Sequence, residues 1–350
     1  MTTGGTALAN DMSLMAQETR ETPAAVARLL DARLDAMLAV GRRLADLAPP
    51  VVATCARGSS DHAAGYLKYL VEIATGTPVA SIGPSIASVY DAPLRLGGAA
   101  LVTVSQSGRS PDLVALQARA KASGALTIAL VNVVDSPVAA AADIVVPLEA
   151  GEEKSVAATK SFVAATVAAA GIVAGWTGDA ALLAAIRGLP RSLEAALAAD
   201  WSAIEPTLVE ATSLYTLGRG PAFPIAAEAA LKTKETAAIH AEPFSVAEVM
   251  HGPLRLVRDR FPVLALLPED AAATVGRAGL ARLEAAGGQV FAAATGAVPG
   301  TLLPAAPTGH PFTDPLAMIL SFYLMIERVC RARGFDPDRP VNLLKVTETV

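Results

Sequence analysis

The sequence predicts an α/β protein of two tandem units, each a parallel sheet with helices on both faces. Three observations carry this. Short apolar segments alternate with amphipathic ones along the chain, the pattern of parallel strands joined by helices. The second half repeats the order of the first: Arg57-Gly58 and Arg219-Gly220 mark the same strand-to-helix corner, 162 residues apart. Finally, residues 102–112 read Val-Thr-Val-Ser-Gln-Ser-Gly-Arg-Ser-Pro-Asp, a buried strand (99–104) running through a hydroxyl-rich turn into a helix start.

In chain order, residues 1–11 read as a disordered start. Residues 12–22 form a polar helix that ends before Pro23. Residues 23–47 carry Val26, Leu29, Leu30, Leu34, Met37 and Leu38 at helical spacing, a long amphipathic helix stopped by Pro49 and Pro50. Strands follow at 51–55, 78–82, 101–104, 125–131 and 144–146. The turn 57–62 leads into a helix at 63–75, and a second helix opens at Ser110. In the second half, a strand at 213–217 meets the turn 218–221 and a helix at 224–237, with further strands at 261–267 and 290–294. The join is expected in 188–201, a loop plus a helix. This divides the chain into an N-terminal helical segment (1–33), a first unit (34–190), a second unit (191–335) and a tail (336–350).

The 350 residues suffice for two domains of ordinary size. The formal net charge is −5 and no basic cluster is visible, which argues against nucleic acid as a partner. The two cysteines, Cys55 and Cys330, form neither a metal-ligand spacing nor a disulfide framework, so a reduced, cytoplasmic setting is expected. The longest apolar stretch, 162–176, falls short of the ~20 residues that span a bilayer. Its alanines and glycines suit a helix packed closely against others, and no membrane partner is expected.

The serine turn is the first candidate site. Serine suits the N-cap, proline the first helical position, and aspartate the positive end of the helix dipole. Ser105, Gln106, Ser107, Ser110 and the backbone N–H groups can donate to a phosphate there; a capped turn that binds nothing has the same residues. The repeat places its counterpart at 267–272, which reads Leu-Pro-Glu-Asp-Ala-Ala. Two carboxylates there would repel a phosphate, so only the first unit is expected to hold an anion. The acidic pair in 149–160 fits a helix start or a solvated loop. Glu228, Lys232 and Glu235 share one helix face, either a surface salt-bridge ladder or a face continuing from the ligand edge of the sheet. His62, His240 and His251 each lie beside a turn or helix end. His251, held by Gly252-Pro253, suits an acid or base near neutral pH or a purely structural place. Lys345, near the C-terminus, would ordinarily face solvent.

Taken together and in this order, residues 105–112, the Arg219-Gly220 corner, Lys232 and Glu235, His240-Ala241-Glu242, Glu248, His251-Gly252-Pro253 and the tail 342–347 resemble the double sugar-isomerase (SIS) family. That family includes the isomerase domain of glucosamine-6-phosphate synthase and stand-alone glucosamine-6-phosphate deaminases. The resemblance runs from about residue 12 onward. It implies two tandem SIS subdomains, each a three-layer αβα unit of flavodoxin-like kind. By the same resemblance, Ser105, Gln106, Ser107 and Ser110 bind the phosphate, and Ser60, Val156, Ala157 and Glu248 belong to the sugar site. Glu235 is the base that moves a proton between C1 and C2, with Lys232 an active-site lysine one turn before it. His251 opens the sugar ring from the neighbouring subunit of a homodimer. Lys345 brings the tail into the site, contacting the open-chain sugar or forming an imine with it.

These residue types fit the chemistry. Ring opening uses an acid–base histidine, hydrogen transfer from C2 to C1 uses one carboxylate on one face of an enediol-like intermediate, and the phosphate brings the carbons into range. No metal or redox cofactor is implied. Residue 2 is Thr2, not the nucleophilic cysteine of the synthases' glutaminase, and some fifty residues precede the first strand. The expected reaction is therefore glucosamine 6-phosphate to fructose 6-phosphate plus ammonia. Galactosamine 6-phosphate and fructosamine-type (deglycase) substrates are alternatives, because the turn reads the phosphate and not the stereochemistry. A non-catalytic sugar-phosphate regulator is the alternative class. It has no use for Glu235, His251 and Lys345, and the chain shows no DNA-binding helix-turn-helix.

Overall fold

The described residues form two five-stranded parallel sheets with the same strand order. The computed structural model describes residues 12–345, so the expectation for 1–11 lies outside the described residues, as do Val346 and Thr347 of the tail. The first sheet holds β1 (Val52–Cys55), β2 (Val79–Ser81), β3 (Ala100–Ser105), β4 (Leu126–Val131) and β5 (Ile144–Pro147), ordered β2-β1-β3-β4-β5. The second holds β6 (Ser213–Gly218), β7 (His240–Ser245), β8 (Pro262–Leu266), β9 (Gln289–Ala294) and β10 (Thr301–Pro304), ordered β7-β6-β8-β9-β10. Every strand pair among the described residues is parallel. Position for position the orders match, so the repeat read from the corners extends through every strand.

The helices are α1 (Leu14–Leu47), α2 (Ser59–Thr75), α3 (Ser85–Ser88), α4 (Pro111–Ala122), α5 (Pro137–Ala141), α6 (Lys160–Thr177), α7 (Ala180–Leu197), α8 (Glu205–Glu210), α9 (Ala222–Ala237), α10 (Ala273–Ala285) and α11 (Asp314–Ala332). One apolar core runs through both halves, from Leu29 and Val102 to Ala226, Phe291 and Phe322. Two smaller cores lie around Leu101 and Leu116 and around Leu217 and Leu280.

Helix α6 is long and apolar enough to cross a membrane by length and composition, yet 83% of it is buried in the protein. It packs on α1 with backbone nearly touching backbone. A Cβ on Gly175 would lie 2.4 Å from the Leu38 carbonyl oxygen, and one on Gly41 would lie 2.1 Å from that of Ile172. Neither obstacle is a movable side chain. Gly175→Ala is therefore expected to destabilise the fold by about 3 kcal/mol, the upper part of the overpacking range, read as a lower urea midpoint.

Four sequence expectations need correction. Pro23 does not end a helix: α1 runs through it. Proline in a helix interior costs ~3 kcal/mol, but Met15, Thr19, Thr22, Ala25 and Val26 are all buried on this stretch. The Thr19 and Thr22 hydroxyls also bond back to the Met15 and Glu18 carbonyls, at 2.7 and 3.3 Å. Similarly, α7 passes Gly188 and Pro190 to Leu197, so no loop opens at 188. The short connection after it is held by the Trp201 indole, which donates to the Pro304 carbonyl at 2.9 Å. Helix α2 begins at Ser59, placing Ser60, Asp61 and His62 in its first turn. Last, strands β7 and β10 were not expected. Both are edge strands containing proline, which an edge tolerates because one side of its backbone has no strand to bond.

Candidate active site

The crevice lies at the carboxyl ends of β1 and β3. These strands are neighbours, but the chain leaves them in opposite directions, to β2 and to β4, and such a switch point opens a groove. A cavity of about 320 Å³ occupies it, a volume suited to a small ligand.

The serine turn forms one wall. Gly108 adopts φ +64°, and its N–H donates to Ser105 Oγ at 3.0 Å. A side chain here would be strained and would fall 2.2 Å from Ser136 Oγ, so the turn requires glycine. Ser110 is the N-cap of α4, but its hydroxyl makes no capping bond. It lines the cavity with Ser105, Gln106 and Ser107, above the positive end of a twelve-residue helix. The helix's first-turn carboxylate, Asp112, is fully buried. Left alone it would oppose an anion. Arg57, on the turn after β1, grips it with Nε at 3.0 Å and Nη2 at 2.7 Å and also lines the cavity. Sequence reasoning missed this ion pair.

The opposite wall belongs to the second unit and the tail. Glu235, near the end of α9, faces the cavity with its side chain 21% exposed. Lys232, one turn earlier, contacts Glu235 Oε2 and lies 3.6 Å from Glu228 Oε1. Glu228 and Lys232 are 0% and 1% exposed, so this is no surface ladder. Tyr323 of α11 donates to Glu228 at 3.2 Å, and His62 Nδ1 of α2 lies 2.9 Å from its other oxygen. Burial alone would lower the Lys232 pKa, but Glu228 and Glu235 outweigh it and hold the ammonium above the usual lysine range. The cavity carboxylate therefore rests on a permanent buried cation.

Lys345 also lines the cavity and does not face solvent freely. Its Nζ donates to the Ser155 carbonyl at 2.7 Å and lies 3.2 Å from Glu153 Oε2. Segment 149–160 is accordingly no solvated loop: Glu153, Ser155, Thr159 and Lys160 are buried. Glu153 went unrecognised as well. The available signal was the Thr159 to Ser161 helix start six residues on, whose N–H groups and Ser161 hydroxyl satisfy the buried carboxylate.

Of the expected site residues, Ser60, Ser105, Gln106, Ser107, Ser110, Val156, Glu235 and Lys345 line one cavity. Lys232 stands behind Glu235. Ala157 is fully buried beside Val156 and does not line the wall. Glu248 and His251 are exposed and outside this cavity. They sit on the turns after β7, the outer edge of the second sheet, and the chain does not bring them to its own cavity.

Comparison with known proteins agrees with this architecture. The SIS domain profile matches residues 51–173 and 207–298. The glutamine–fructose-6-phosphate aminotransferase of Caulobacter vibrioides is 33% identical over 297 residues, which cover 79% of this chain and 48% of that protein. The chain thus spans about half the length of the curated relatives it matches. A Silicibacter pomeroyi structure, provisionally named a phosphosugar isomerase, is 45% identical with a TM-score of 0.90, covering 93% of this chain and all of that one. The glucosamine-6-phosphate deaminase of Thermotoga maritima shares the fold, with a TM-score of 0.77 at 18% identity over 96% of this chain and all of that one.

Proposed function

The chain belongs to the SIS-domain family, and from that premise we propose that it is a sugar-phosphate isomerase that deaminates glucosamine 6-phosphate to fructose 6-phosphate and ammonia. One observation carries the reading. A single cavity holds a phosphate-type turn at one wall and, at the other, a carboxylate backed by a buried ammonium together with a second lysine.

The chemistry follows from that layout. The serine turn and the α4 N-terminus anchor the phosphate, which fixes C1 and C2 near Glu235. An acid–base group opens the ring; we assign this to the partner subunit's His251, since the chain's own His251 lies off its cavity, which makes the enzyme a homodimer with shared sites. Glu235 removes the C2 proton from the open-chain aldehyde and returns it to C1, converting the amino aldose to a 2-imino ketose. Water adds to C2 and ammonia leaves, giving the ketose phosphate. Lys232 keeps the Glu235 carboxylate in place throughout, and Lys345 contacts the open-chain sugar. No step calls on a metal or a redox cofactor.

The test is ammonia release from a panel of amino sugar 6-phosphates, with glucosamine and galactosamine 6-phosphates side by side. Fast release from glucosamine 6-phosphate is expected. Release confined to galactosamine 6-phosphate or to N-substituted fructosamine phosphates would reassign the substrate. No release from any member, with sugar phosphates still binding, would replace the enzyme with a regulator.

A further inference from the structure

The proposed chemistry uses Lys345 but leaves Glu153 without a task. Glu153 is 5% exposed and none of its side chain reaches solvent. Its Oε1 accepts the N–H groups of Thr159 and Ser161 at 3.0 and 3.1 Å, and its Oε2 accepts the Ser161 hydroxyl at 2.6 Å. Lys345 Nζ lies 3.2 Å from that same Oε2. Burial would raise the pKa of this carboxyl, but Lys345 and the bonds from Ser161 and Thr159 prevail and hold it below the usual range. It is thus a fixed anion, oriented by the start of α6. It also lies close enough to Lys232 to favour that ammonium.

The elements that bring the two groups together come from opposite ends of the chain. Glu18, on α1, accepts the Lys154 N–H and, at 3.2 Å, the Ser155 N–H, which sets the loop carrying Glu153. Asp338, at the root of the tail, accepts the Leu14 and Met15 N–H groups at 2.7 and 2.9 Å. The first turns of α1 therefore hold both the loop that receives Lys345 and the tail that delivers it. A tail lysine has four rotatable bonds and would otherwise sample solvent; ordering it costs entropy that a buried, pre-oriented anion offsets.

We propose that Glu153 is the positioning residue for Lys345: its buried carboxylate draws the tail lysine into the cavity and holds it facing the sugar. This rests on the catalytic reading of Lys345. Glu153 need not touch substrate, so it acts on turnover through Lys345.

The experiment combines kinetics with an activity-independent readout. Glu153→Gln keeps the shape and removes the charge, and is expected to lower kcat by about 30-fold with KM changed less than about threefold, the mark of lost orientation. In a Lys345→Met background the same substitution should cost less than about twofold, because the two residues act as one unit. Equal losses in both backgrounds would mean a general structural role and would overturn the proposal. Trypsin supplies the second readout. It cleaves after Lys345 only when that side chain leaves its partners, so Glu153→Gln should speed this cut about tenfold relative to the cut after Arg260, on an exposed turn far from the tail in sequence. An unchanged ratio would overturn the proposal whatever the enzyme's activity. Should wild-type protein release no ammonia, the functional reading fails while the cleavage ratio still judges the Glu153–Lys345 pairing. If Glu153→Gln does not fold, Ser161→Ala removes the 2.6 Å bond to the carboxylate and should give smaller shifts of the same kind; no shift in either readout overturns the proposal.

Discussion

Glu235→Gln is expected to lower turnover about a thousandfold, within the range for removing a general base, while sugar-phosphate affinity stays within a few-fold. The reason is the division of labour across the cavity. The proposed phosphate site is lined by Ser105, Gln106, Ser107 and Ser110 at the N-terminus of α4 on one wall, and the substitution touches none of them. A glutamine at 235 can still accept the hydrogen bond from Lys232, so the wall keeps its shape. What is lost is the oxygen proposed to take the C2 proton and return it. Steady-state ammonia release together with calorimetric titration of fructose 6-phosphate separates the two effects. Turnover within tenfold of wild type would show that the proton is carried by another group. Loss of both turnover and affinity would show that Glu235 serves binding.

Lys232→Met is expected to destabilise the protein by about 3–5 kcal/mol, the cost of removing one partner from a buried charge pair. Glu228 is fully buried and Lys232 1% exposed, so solvent does not weaken the effect. Without the ammonium, Glu228 keeps the Tyr323 hydroxyl and His62 among the described residues. The pH dependence has a definite sign. Lys232 is raised above the ordinary lysine value in the folded protein, so its contribution is fully present below the unfolded pKa of ~10.4 and fades only as pH climbs through the folded value. The stability gap between wild type and variant should therefore be flat from about pH 6 to 9 and narrow above ~10.4. Urea unfolding across that range measures it. A gap below ~1 kcal/mol at neutral pH would mean that the cluster is solvated in solution.

Local order made much of this architecture legible. A strand that ends in a hydroxyl-rich turn before Ser-Pro-Asp is recognisable without its neighbours, because capping, helix dipole and proline geometry all act within one turn of chain. The corners at Arg57-Gly58 and Arg219-Gly220 exposed the repeat for the same reason. The strands that escaped, β7 and β10, are edge strands with weaker apolar patterning and a proline each. The prolines at 23 and 190 misled in the opposite direction. Burial of the flanking residues outweighs a local preference, and that burial depends on what packs against the helix.

The candidate site divides along the same line. By itself the sequence determined the phosphate-type turn and the Glu228, Lys232 and Glu235 face as residues of interest, since their spacing is a property of the chain, while Lys345, whose position alone predicted a solvent-facing side chain, was marked only by the family resemblance. Only the tertiary structure decided which charges are buried. Glu228, Lys232 and Glu235 have the spacing of a solvated ladder, and Glu153 that of a loop. They become an interior cluster because α2, α11 and the tail cover them with His62, Tyr323 and Lys345. Desolvation is set by atoms far away in sequence.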